Sequence, residues 1–195
     1  MPNLESDTCR NCPYHPRQGL VPSPRSGRAH VPLSAEVHGS ETLLLFQAPG
    51  INEWSDGRVL SSQESRSAGQ RFDTALANAG KRREDFDIAE AVNCYPGQNA
   101  NGRDLTPKIG AVEACSRWLA ELINEKRYTK VVLFGRVAEQ SLALAWFSTP
   151  TIAHSITSIV RKQYINMERD ESIAEALTDL EASEPEASEP EAPPE

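Results

Sequence analysis

The stretch Thr42-Leu43-Leu44-Leu45-Phe46-Gln47-Ala48-Pro49-Gly50-Ile51-Asn52-Glu53 decides the fold. A β-branched residue followed by four consecutive apolar residues reads as a strand buried on both faces. Ala48-Pro49-Gly50 ends that strand sharply, and the polar residues from Ile51 to about Ser65 read as a long loop.

Outward from this strand, helical and strand patterns alternate. A helix is expected to begin near Ser67, carrying Phe72, Ala75 and Leu76 on one face, with Gly80 at its C-terminal end. Phe86 to Val92 reads as a second strand, followed by a Cys94-Tyr95-Pro96-Gly97 turn and a loop rich in Asn, Gly and Arg. Thr106-Pro107 has the form of a cap and first turn. The helix after it would show Ile109, Val112, Cys115, Trp118, Leu119 and Leu122 on one face. Lys130 to Phe134 reads as a third buried strand, and Gly135 leads into a helix with Val137, Leu142 and Leu144. Thr149 to Ala153 is the expected fourth strand. Such alternation predicts an α/β fold of three layers, α/β/α, around a mainly parallel sheet. Ligands of such sheets bind beyond the carboxyl ends of the strands. That places Gln47 to Glu53, Glu90 to Cys94 and the His154 region around one cleft.

The charge is unevenly distributed. The 195 residues carry a net charge of −8. Residues 168–195 contain eleven acids and one arginine, so the remainder is mildly basic at +2. The expected organisation is an N-terminal cysteine-bearing arm (1–40) packed on the core, an α/β domain (41–167), and an acidic, mostly disordered tail (168–195). The tail repeats Ser183-Glu184-Pro185-Glu186-Ala187 as Ser188-Glu189-Pro190-Glu191-Ala192. It reads as a solubilising segment, or as a nucleic-acid mimic competing for a basic cleft. No apolar run approaches the ~20 residues of a membrane span. Met1 to Arg17 is polar rather than apolar-centred, so a cytoplasmic chain is expected.

The four cysteines are Cys9, Cys12, Cys94 and Cys115. Cys9 and Cys12 form a C-x2-C pair, and four thiolates can complete either a zinc site or an iron–sulfur cluster. In a reducing compartment, disulfides are not expected. A shared metal centre would pin the arm to the middle of the fold, and its binding would count towards folding.

In this order, the segments resemble the uracil-DNA glycosylase superfamily, specifically its iron–sulfur members, over roughly Cys9 to Lys162. Gln47-Ala48-Pro49-Gly50 is similar to that family's first motif, with Glu53 where an acid is common. Asp56-Gly57-Arg58-Val59-Leu60 resembles the segment that supplies a base-stacking aromatic. Val92-Asn93-Cys94-Tyr95-Pro96 resembles the strand end bearing a cluster cysteine, and Cys115 fits the last ligand. Val131 to Ala138 is similar to the family's strand, glycine and helix start. Ala153-His154-Ser155 resembles a degenerate His-Pro-Ser motif.

The resemblance implies a [4Fe–4S] cluster on the four cysteines, with zinc as the alternative. It also implies a monomer that acts on DNA, flips a base out of the helix and excises uracil or another deaminated base by hydrolysis. Glu53, Gln47 and His154 would be the catalytic residues. Glu53 would place water or face cationic charge on the sugar, and His154 would stabilise the departing base. Gln47, Leu60, Glu90 and Asn93 would bind the base. Ser155, Ile156, Arg161 and Lys162 would meet DNA, with Ile156 or Ile159 as an apolar wedge. Three positions depart from the family's usual choice: Gln47 replaces an acid, Leu60 an aromatic, and Glu90 a uracil-reading asparagine. As a carboxylate Glu90 offers acceptors only, which would suit an amino-bearing base better than uracil. The alternative reading is therefore a binding module that keeps the fold and the metal but has little or no turnover.

Overall fold

The computed structural model describes residues 5–19, 27, 29–65, 67–149 and 156–162. Its sheet has four strands in the order β2-β1-β3-β4. These are β1 (Thr42–Phe46), β2 (Asp87–Glu90), β3 (Lys130–Phe134) and β4 (Ser158–Lys162), and every pairing is parallel. Five helices accompany them among the described residues: α1 (Asp7–Arg10), α2 (Ile51–Asp56), α3 (Ala68–Asn78), α4 (Ile109–Lys126) and α5 (Arg136–Ser148).

β1 lies between β2 and β3, which explains its unbroken Leu43 to Phe46 run: both faces are covered. The chain crosses one way from β1 to β2, through α2 and α3, and the opposite way through α4 and α5. Right-handed crossovers then place the two helix pairs on opposite faces, giving the three layers.

Local signals account for several boundaries. The Ser67 hydroxyl caps α3 by accepting from the Gln70 N–H at 3.1 Å. The same helix ends with Gly80 at φ 66° and the Lys81 N–H on the Leu76 carbonyl, a left-handed close that disfavours a side chain. Gly135, at φ 89° and ψ 173°, turns β3 directly into α5 through a region open essentially to glycine.

Two expectations change, and a third falls largely outside the described residues. Ile51–Asp56 is a short helix rather than a loop, because burying Trp54 outweighs weak local signals. The cap of α4 is Lys108, without a side-chain bond, and Pro107 is buried just ahead of it. Among the described residues the fourth strand is Ser158–Lys162, so Ile159 belongs to the sheet rather than standing out as a wedge. Most of the expected Thr149–Ala153 strand lies outside the described residues, as does the acidic tail.

The N-terminal arm packs on this core. Cys9, Cys12 and Tyr14 are buried, and the Tyr14 hydroxyl accepts from the Lys108 N–H at 2.8 Å. Further on, Glu36 makes an antiparallel bridge with Ile88 and so covers the edge of β2. Asp87, fully buried at the amino end of β2, accepts from the His38, Gly39 and Ser40 N–H groups and from the Tyr128 hydroxyl.

Candidate functional site

An open cleft of about 180 Å³ lies beyond the carboxyl ends of β1 and β2. Gln47, Glu53, Leu60 and Glu90, all expected there from sequence, line it together.

Glu53 lies in the first turn of α2, whose cap is Gly50. It is only 7% exposed, and its Oε1 accepts from the Ser62 N–H at 3.4 Å. Burial raises its pKa against backbone hydrogen bonds that lower it, and the acids Asp104 and Asp56 add to the rise. Gly50 permits this arrangement by lacking a side chain: a Cβ there would stand 2.7 Å from Glu53 Oε2 and 3.0 Å from Asp104 Oδ2.

Leu60 is buried with φ 45°, an uncommon conformation for a residue with a side chain. Arg83 holds it there. The guanidinium donates to the carbonyls of Val59 (2.8 Å) and Leu60 (3.3 Å), and pairs with Glu36 (2.9 Å) and Asp73 (3.3 Å). Gly69 of α3 lets the same turn close in, since a Cβ there would lie 2.5 Å from the carbonyl oxygens of Leu60 and Ser62.

Glu90 ends β2, in register with Phe46. It is 4% exposed, and burial, followed by the charge of Glu53, raises its pKa well above the ordinary carboxylate value.

The cleft also contains residues that sequence reasoning missed. The loop after Cys94 is a small hairpin, closed by Leu105 N–H on the Gly97 carbonyl (2.8 Å) and Asn99 N–H on the Arg103 carbonyl (2.9 Å). It brings Asp104 and Leu105 to the cleft, and the Tyr95 hydroxyl donates to Asp104 at 3.0 Å. Asn52, Ser62 and Pro96 complete the wall.

Other expected residues fall elsewhere. Asn93 lines a separate pocket beside Trp118 and Leu119 of α4. Ile156 is buried in the core rather than presented as a wedge. Arg161 is exposed and paired with Glu139 at 2.8 Å. His154, Ser155 and the side chain of Lys162 lie outside the described residues.

The four cysteines line one small cavity. None of them forms a disulfide. Burial raises the pKa of Cys12, and pushes that of Cys115 up to about 12, with neighbouring sulfurs adding to each rise. The Tyr14 N–H donates to Cys12 Sγ at 3.4 Å. Among the described residues, no group of three or more His, Cys, Asp and Glu is arranged to grip a single metal ion. No helix among them is long and apolar enough to cross a membrane.

Fold and cleft together define a parallel α/β domain with an acid-lined cleft at the strand carboxyl ends, the place where sheets of this kind bind ligands. The chain belongs to the uracil DNA glycosylase superfamily, whose family profile matches residues 36–181. It is 30% identical over 135 residues to the type-4 uracil-DNA glycosylase of Pyrobaculum aerophilum, covering 69% of this chain and 59% of that protein. It is also 30% identical over 134 residues to the type-4 uracil-DNA glycosylase of Archaeoglobus fulgidus, covering 68% and 57%. The chain thus spans somewhat under 60% of the length of either relative.

Proposed function

We propose that this protein is a DNA glycosylase that hydrolyses the N-glycosidic bond of uracil or another deaminated base. The observation that carries this reading is the convergence of Gln47, Glu53, Leu60 and Glu90 in one cleft of a uracil DNA glycosylase superfamily chain.

A base inside duplex DNA cannot reach such a cleft, so the nucleotide must be extruded. Leu60 would pack on the face of the extruded base, while Glu90 and the Gln47 amide would meet its edge. The C1′–N bond then breaks, and its electron pair departs with the base. Water bonds to C1′ as Glu53 takes its proton. A raised pKa makes Glu53 a stronger proton acceptor than an ordinary carboxylate while leaving it able to ionise. Ionised Glu53 also offsets positive charge developing on the sugar. The released base takes up a proton from solvent. Enclosure in the cleft strengthens these electrostatic effects.

The donor set supports an iron–sulfur cluster held by Cys9, Cys12, Cys94 and Cys115. Four buried sulfurs surround a cavity, and their thiolates would need cationic charge between them. When bound, a [4Fe–4S] cluster would supply iron–thiolate ligation that ties the arm to the loop after β2 and to α4.

The test incubates the protein with duplexes containing uracil, hypoxanthine, xanthine or hydroxymethyluracil, then cleaves abasic sites with alkali. Strand breaks that Glu53→Gln suppresses support excision. Salt-sensitive binding without breaks at any lesion would replace this reading with that of a binding module.

A further inference from the structure

Glu90 is a buried acid that, among the described residues, has no cation beside it in the cleft. Its Oε2 has no hydrogen-bond partner among the described residues. The charged groups sharing its cleft are Glu53 and Asp104, both acids. On the α4 side, Glu121, Glu125 and Lys126 line the neighbouring pocket whose wall Glu90 shares, and Lys126 is paired with Glu125 at 2.8 Å. Along the β2 edge stands Glu36, engaged by Arg58 and Arg83. β1 contributes only apolar side chains from Leu43 to Phe46 beside it.

Among the described residues, an ionised carboxylate there would meet no counter-charge in the cleft, and its Oε2 would meet no donor. Held as a carboxylic acid, the same group is chemically different from the carboxylate that the sequence suggests. It carries an O–H donor and a C=O acceptor side by side in one plane, as a primary amide carries N–H and C=O. A lactam edge, such as O4 and N3–H of uracil, is complementary to that pair.

We propose that Glu90 is the specificity-determining residue of the cleft, reading the lactam edge of the extruded base through its neutral carboxyl group. The acid O–H donates to O4, and N3–H donates to the acid C=O. Ionisation removes the donor and sets negative charge against O4, so recognition weakens as Glu90 loses its proton. Burial and the charge of Glu53 both oppose that loss. The two carboxyls thereby divide the work: ionised Glu53 accepts the proton of water and keeps Glu90 protonated. This assignment rests on the glycosylase reading and deepens it.

The experiment uses the full-length protein, Glu90→Gln and Glu90→Leu, with circular dichroism as the check on folding. KM and kcat for release of uracil from a duplex are measured from mildly acidic to alkaline pH. Binding of free uracil is followed over the same range by equilibrium dialysis. For the wild type, KM should rise on the alkaline side and uracil binding should fall with it. Glu90→Gln, whose amide keeps a donor and an acceptor but cannot ionise, should lose that alkaline limb. Glu90→Leu should lose at least about a hundredfold in kcat/KM. An unchanged alkaline limb in Glu90→Gln, or wild-type excision by Glu90→Leu, overturns the assignment. Should the wild type release no base from any duplex, the glycosylase reading fails on its own. Free-uracil binding then decides: binding that is absent, or indifferent to pH and to Glu90→Leu, overturns the assignment.

Discussion

Replacing Arg83 with methionine should loosen the turn that presents Leu60 and Ser62 to the cleft. The Arg83 side chain is 12% exposed. Its guanidinium donates to the Val59 carbonyl at 2.8 Å and the Leu60 carbonyl at 3.3 Å, and pairs with Glu36 at 2.9 Å. Buried bonds that involve a charged group contribute about 1.5–3 kcal/mol each. Two effects lower the sum. Glu36 keeps Arg58 at 2.6 Å, so its charge is not orphaned, and the longer Asp73 pair, which is more exposed, adds at most about 1 kcal/mol. Methionine also retains much of the packing against Phe72, over whose ring the guanidinium sits at 5.4 Å. The net loss should be about 3–5 kcal/mol, the range for breaking a buried pair outright.

Leu60, at φ 45°, stores backbone strain of the order of 1–3 kcal/mol that Arg83 helps to hold. The freed turn should relax, withdrawing the Leu60 face and the Ser62 N–H from the site. Urea denaturation would show a lower midpoint at constant slope, and uracil excision should fall by about tenfold or more. A variant within about 0.5 kcal/mol of the wild type, with full excision, would refute the claim that this network holds the cleft.

Gly50→Ala should cut excision by about tenfold while costing under about 1 kcal/mol of stability, because the new Cβ meets the Glu53 carboxylate at 2.7 Å and can displace it. Wild-type kinetics for the variant would contradict the placement of Glu53. Cys115→Ser should abolish bound iron and visible absorbance and lower the melting temperature; full iron content would remove Cys115 from the ligand set. Glu90 and Glu53 have folded-state pKa values raised above the ~4.3 of an unfolded glutamate. Their contribution is therefore present below that unfolded value and is lost as pH rises through the folded ones. Glu90→Gln should consequently gain stability relative to the wild type on going from acidic to alkaline pH, as measured by denaturation at both. An equal difference at the two pH values would contradict the raised folded-state pKa of Glu90.

Much of the architecture was legible because it is written in short-range patterns. The Leu43 to Phe46 and Val131 to Phe134 runs announce buried parallel strands, and Ser67 and Gly80 mark the ends of α3 through their own backbone chemistry. The conjunction of Gln47, Glu53, Leu60 and Glu90 followed from motif order. Other features were not legible in this way. α2 lacks a side-chain cap and is too short to show a period, so only the burial of Trp54 reveals it. β4 is five residues long, and pairing with β3 defines it. Asp104 stands far along the chain from Glu53 and reaches the cleft through a hairpin held by Asn99, Gly97 and Leu105.

The sequence by itself determined the alternation of strand and helix, the order of the segments around the cleft and the identity of the thiols, since periodicity, caps and side-chain chemistry are local properties. Only the tertiary structure decided that Asn93 turns to a different pocket, that Ile156 is core, and that Glu90 sits buried beside acids with no counter-charge among the described residues of its cleft. Proximity across the chain and removal from water set those outcomes, and a residue's neighbours in sequence encode neither.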